Sequence, residues 1–136
     1  MWSLAMLIAG LPTKRENPTE LLRAAVALWT SNVLVFASWY WRLDAGGPHR
    51  RELRESHSEG AFLFPQMSLP PHVKSAYETW KPEFIDYLFL AFNTSTAFSP
   101  TDVPVLSRWA KALMMIQSVI SLGTIAILAA RAVNIL

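Results

Sequence analysis

Residues 82–102 read PEFIDYLFLAFNTSTAFSPTD. Pro82 suits the first turn of a helix, and Glu83 puts a negative charge near the N-terminus, where the helix dipole favours it. Residues 84–92 are then apolar except for Asp86. A helix of about nine residues rises only roughly 14 Å, whereas crossing a bilayer takes about 20 residues. Directly after it comes a hydroxyl-rich segment, 93–102, whose composition is not that of a helix and which contains Pro100. A short helix followed by irregular backbone is tolerated at membrane depth only where protein or a water-filled cavity satisfies its polar groups. The stretch therefore predicts a re-entrant helix and loop, provided that full spans flank it.

Both flanks meet that condition. Downstream, residues 112–130 carry no charge, with Arg108 and Lys111 before them and Arg131 after; the second span is placed over 103–136. Upstream, residues 24–41 are also uncharged, about 18 residues rising roughly 27 Å. Arg23 and Arg42 bracket this stretch and can snorkel to the headgroups, and Trp39-Tyr40-Trp41 has the composition of an interfacial belt. The first span is placed over 21–42. A soluble domain would spread its charges along every helix, because each helix shows one face to water. The expected fold is an all-α membrane protein: two transmembrane helices with a re-entrant pore helix and loop, 82–102, between them.

The intervening segment 43–81 reads as a polar loop. Ala45-Gly46-Gly47-Pro48 breaks the helix, and the charged run over 48–60 could form a short solvated helix with Arg51 and Glu55 four apart. Residues 62–67 are apolar but short and interrupted by Pro65, which suits the membrane surface or packing against the spans. Before the first span, residues 1–20 combine an apolar segment with a polar connection containing Pro12 and Pro18, and Thr19 is a candidate cap. Lys14 and Arg15 follow the apolar part, whereas a signal peptide carries its basic region first. That part is either interfacial or the end of a truncated span.

Composition excludes several function classes. The net charge of +2 forms no basic stripe with interleaved aromatics, so no nucleic-acid partner is expected. The absence of cysteine removes disulfides, thiolate metal sites and thiol nucleophiles. His49, His57 and His72 share the loop with Glu52, Glu55 and Glu59, but at no zinc-ligand spacing, so neither metal nor cofactor is expected. No serine or threonine can be paired with a membrane-depth histidine, and the reading is not that of an enzyme.

Residues 83–135 resemble the pore half of two-helix tetrameric potassium channels: pore helix, filter, inner helix. In that family a threonine-rich helix end runs into Thr-Val-Gly-Tyr-Gly-Asp, a Pro-containing turn and a basic residue opening the inner helix. Here the stretch is Thr94-Ser95-Thr96-Ala97-Phe98-Ser99-Pro100-Thr101-Asp102, then Pro104 and Arg108, and Gly123 stands where the family often keeps a hinge glycine. The segment also resembles the C-terminal part of uncharacterised bacterial integral-membrane proteins with a Thr-Ala-Phe-Ser-Pro-Thr-Asp signature. The likeness covers roughly 50 residues and reaches the first span only by position. It implies a homotetramer in a bilayer, by analogy the bacterial inner (plasma) membrane, passing monovalent cations.

One departure bears on selectivity. There is no glycine between Gly60 and Gly123, and Pro100 fixes a torsion and removes a donor where the filter would be. A potassium-selective filter is not expected. The expectation is a weakly selective cation path along Thr94, Ser95, Thr96, Ala97, Phe98, Ser99 and Thr101, with Asp102 at its mouth. The rival function is a non-conducting membrane scaffold or accessory subunit that keeps the architecture.

Each of these residues also has a plainer role. Asp102 or Thr101 could cap the second span, and the hydroxyls of 94–99 could satisfy the backbone of a re-entrant turn. Asp86 fits an interfacial structural role at the start of the short helix. Gln117, Ser121 and Thr124 recur at helical spacing, a stripe that faces either a pore or a neighbouring helix, with Ser121 and Gly123 allowing close approach. Asn32 is read the same way. The channel analogy puts the 44–81 loop outside, while the positive charges give it no help, with Arg42, Arg50, Arg51, Arg54, Lys74 and Lys81 against Lys14, Arg15, Arg23 and Arg131.

Overall fold

The computed structural model describes residues 17–54, 60–70, 73, 80–96 and 103–135. These residues are mostly helical, with no strand among them. Helix α1 covers Pro18–Leu43, a short α2 covers Pro48–Glu52, α3 covers Phe84–Thr96 and α4 covers Arg108–Ile135.

Local chemistry explains the boundaries. Pro18 opens α1, where its missing N–H costs nothing, and the Asn17 carbonyl accepts from the Glu20 and Leu21 amides. Thr19, the expected cap, therefore lies inside the first turn. At the other end the Asp44 amide closes on the Tyr40 carbonyl, and the chain then reverses through Ala45, Gly46 and Gly47, all at positive φ. Helix α3 begins where the Asp86 carboxylate accepts the Glu83 amide at 2.8 Å, the structural role expected of Asp86. It runs on to Thr96, so Asn93, Thr94, Ser95 and Thr96 are helical where the composition suggested irregular backbone. Helix α4 starts at Arg108, later than 103, because Pro104 and Leu106 are committed elsewhere. The Pro104 carbonyl accepts from Leu63, the Leu106 amide donates to Ala61, and Phe62 and Val105 form an isolated antiparallel bridge. Ser107 Oγ then takes the Ala110 amide as an N-cap.

Ring contacts fix the relative directions. Trp41 packs edge-on against Phe84 at 5.8 Å, and Trp29 against Phe92 at 5.3 Å, so α3 runs antiparallel to α1. Between α3 and α4 the paired positions rise together, Ala91 with Gln117, Thr94 with Ser118 and Ser95 with Ser121. Helix α4 is thus parallel to α3 and antiparallel to α1. Gln117 and Ser121 lie roughly 14 and 20 Å along α4, a helix roughly 42 Å long. The 13-residue α3 therefore ends about halfway along its neighbours, and by Val105 the chain is back beside Phe62, at the end where α3 began.

The core gathers at that same end, around Phe36, Tyr40, Phe62, Phe64, Tyr87, Leu90 and Ala110. Phe62 is its centre, within 6.2 Å of the rings of Tyr40, Tyr87 and Trp109. Helices α1 and α4 are both long and apolar enough to cross a membrane. Their most apolar windows are only 33% and 17% buried. A helix forming the core of a soluble protein would be mostly covered; α4 instead exposes Val119 at 71% and Leu122 at 64%.

Candidate functional site

A polar seam runs through the apolar interface of α1, α3 and α4. Its hub is Gln117, fully buried on α4. Gln117 Oε1 accepts the Tyr40 hydroxyl at 2.6 Å, while Nε2 donates to the Ala91 carbonyl at 2.7 Å and to Ser95 Oγ at 2.8 Å. Every polar atom of this side chain is thereby used, which a buried amide requires. Asn32 of α1 extends the seam by donating to the Gln117 carbonyl at 3.4 Å and, at 3.5 Å, to Ser95 Oγ.

The same seam serves the C-terminal carbonyls of α3, which have no partner within their own helix. Ser121 donates to the Ser95 carbonyl, Ser118 to the Thr94 carbonyl at 3.3 Å, and Thr96 to the Asn93 carbonyl at 3.0 Å. The last turn of α3 can stay helical among apolar neighbours because α4 supplies the Ser118 and Ser121 hydroxyls, while Thr96 serves its own helix.

A second cluster closes the end where α3 begins. Asp44 is fully buried; Oδ1 accepts the Ala61 amide and Oδ2 the Tyr87 hydroxyl, each at 2.6 Å. Arg51 is buried too, donating to the Trp41 and Asp44 carbonyls at 2.7 and 2.8 Å with its guanidinium 5.1 Å from the Tyr87 ring centroid. Arg51 thus turns inward instead of riding on a solvated helix, and Glu55 lies outside the described residues. Gly60 leaves room for the carboxylate, since a Cβ there would sit 2.7 Å from Asp44 Oδ1. Tyr87 lies outside the two long helices. Burial first, then the charge and hydrogen bond of Asp44, push its phenol well above the ordinary value.

Of the residues expected along an ion path, Thr94 and Ser95 are buried in the seam and Thr96 is half-buried at the end of α3. Ala97, Phe98, Ser99, Thr101 and Asp102 lie outside the described residues. Gln117, Ser121 and Thr124 are all buried; the first two face α3, and Thr124 Oγ1 returns to the Ile120 carbonyl of its own helix. Gly123 lies within an unbroken α4, and a Cβ there would meet nothing within 4 Å. His49 is exposed, and His57 and His72 lie outside the described residues.

Sequence reasoning missed the Asp44 cluster, because Asp44 reads as the first residue of a polar loop. The available signal was its place beside the aromatic belt, two residues after Arg42. No protein-family model matches the chain, and no curated protein or solved structure matches it either.

Proposed function

We propose that this chain is an integral membrane protein and a channel-like subunit, in which α3 dips into the bilayer between two spans and the chain returns to the side it came from. The observation that supports this best is the depth at which α3 stops. A helix too short to cross ends midway along two long apolar helices, its last carbonyls met by Ser118 and Ser121 and the carbonyl of Ala91 one turn earlier by Gln117. By Val105 the chain is again beside Phe62. Backbone that leaves a helix at mid-membrane needs a protein or water lining, and several copies around an axis supply one.

In this reading four chains surround a weakly selective cation path. Thr94 and Ser95 hold α3 in place, so the lining falls to Thr96 and the residues through Thr101, with Asp102 at the mouth. A non-conducting scaffold with the same architecture is the second reading. The lack of any glycine between Gly60 and Gly123 favours it, since a filter built from carbonyls draws on glycine backbone freedom.

Native mass spectrometry of detergent-purified protein, followed by ion flux in reconstituted vesicles, separates the readings. The expected result is a tetramer whose cation flux changes with Thr96→Ala and Asp102→Asn. A folded monomer or dimer sinks the pore; a folded tetramer without flux leaves the scaffold.

A further inference from the structure

We propose that the cleft between the end of α1 and the start of α4 binds the headgroup of an anionic phospholipid. This rests on the reading that α1 and α4 span a bilayer. The cleft is a shallow, open depression of about 360 Å³, lined by Leu43 from α1, Ala45, Gly60 and Ala61 from the loop, and Leu106, Ser107 and Trp109 at the head of α4. That volume lies at the lower end of small-molecule sites.

Its level in the membrane is set by aromatic residues. Trp39 and Trp41 end α1 and Trp109 opens α4, and tryptophan concentrates where acyl chains meet headgroups. Leu43 and Leu106 at the cleft are more than half exposed, an apolar surface suited to the glycerol and upper acyl region of a lipid.

Charge selects the kind of lipid. Arg42 adjoins Leu43, Arg108 lies between Ser107 and Trp109, and Lys111 follows within one turn. All three are exposed, and among the described residues none is seen with a side-chain hydrogen bond or ion pair. Among the described residues, no acidic side chain lines the cleft. The nearby Asp44 is fully buried, with its oxygens taken by Ala61 and Tyr87. An apolar cleft whose lining residues on α1 and α4 are followed or preceded in sequence by three exposed cations complements a lipid with a net negative phosphate headgroup better than a zwitterionic one.

The test is lipid retention by delipidated, detergent-purified protein titrated with phosphatidylglycerol or phosphatidylcholine and read by native mass spectrometry. Wild type is expected to retain phosphatidylglycerol preferentially. Arg42→Gln with Arg108→Gln should weaken that retention by roughly five-fold per cation removed. Arg23→Gln with Arg131→Gln, at the opposite ends of the spans, should leave it unchanged. Equal retention of both lipids, or equal loss in both double variants, overturns the site. A carbonate wash of the membranes is run in parallel. Protein that stays in the pellet without lipid preference refutes only the cleft, whereas protein released by the wash refutes the spans and the cleft with them.

Discussion

Tyr40 on α1 donates its hydroxyl to Oε1 of Gln117 on α4 at 2.6 Å, with both side chains fully buried. The amide nitrogen of the same Gln117 reaches Ala91 and Ser95 of α3. One side chain therefore fixes the height of α3 against both long helices. Tyr40→Phe strands a buried acceptor, which costs about 1–3 kcal/mol in a protein interior, and interhelical bonds within membranes average about 0.6 kcal/mol. A loss near 1 kcal/mol is expected for Tyr40→Phe, and a larger one for Gln117→Leu, which breaks three bonds. Thermal unfolding in detergent across the double-mutant cycle checks this; strictly additive effects would show that the bond contributes nothing.

Asp44→Ala takes the acceptor from the Ala61 amide and the Tyr87 hydroxyl at once. A loss of about 3 kcal/mol is expected, near the upper end for stranding buried polar groups. Gly60→Ala should act on the same cluster, because its Cβ would press to 2.7 Å from Asp44 Oδ1; overpacking of this kind costs about 1–3 kcal/mol. If Gly60→Ala melts like wild type, the carboxylate has room to move and the packing argument fails.

Ser95→Ala and Thr96→Ala should separate holding the helix from lining a path. The Ser95 hydroxyl accepts from Gln117 at 2.8 Å and from Asn32 at 3.5 Å, so its removal should lower the melting temperature without altering which ions pass. Thr96 bonds only to the Asn93 carbonyl of its own helix among the described residues, so its variant should leave stability nearly unchanged and shift flux. A reversed pattern in paired melting and vesicle-flux measurements refutes this division.

Stability should fall at alkaline pH through Tyr87. The folded protein holds the phenolic proton more tightly than the unfolded chain, whose tyrosines ionise near about pH 10. The contribution is thus complete below about pH 10 and is lost as the pH rises above it, since only the unfolded state then releases the proton. Melting temperatures from pH 8 to pH 11 should decline less steeply for Tyr87→Phe than for wild type; parallel curves would contradict the assignment.

The long helices were legible because their charges are segregated, and the expected C-terminal limits of the two spans, 42 and 136, fall within a residue or so of the observed helix ends, Leu43 and Ile135. The start of α4 was not legible: the pairing of Phe62 with Val105 is non-local, and it keeps the chain extended through Leu106. Nor was the end of α3. Asn93, Thr94, Ser95 and Thr96 have the composition of a loop, and only the hydroxyls of Ser118 and Ser121 make their helical form affordable. Gln117 and Ser121 stood out as polar residues in an apolar stretch, but which neighbour they served depended on contacts more than 20 residues away. Asp44 gave almost no signal, since a carboxylate at a helix end is ordinarily solvated.

The dependence of α3 on α4 also dictates an order of events during synthesis. Helix α3 leaves the ribosome before α4, so its last carbonyls and the Tyr40 hydroxyl must wait for partners not yet made. Until Gln117 emerges, a short helix with bare polar ends has every reason to stay at the water boundary. In the proposed re-entrant arrangement its descent is then the final step of maturation, and a chain stopped before residue 117 would hold the first long helix in place with the short one still outside.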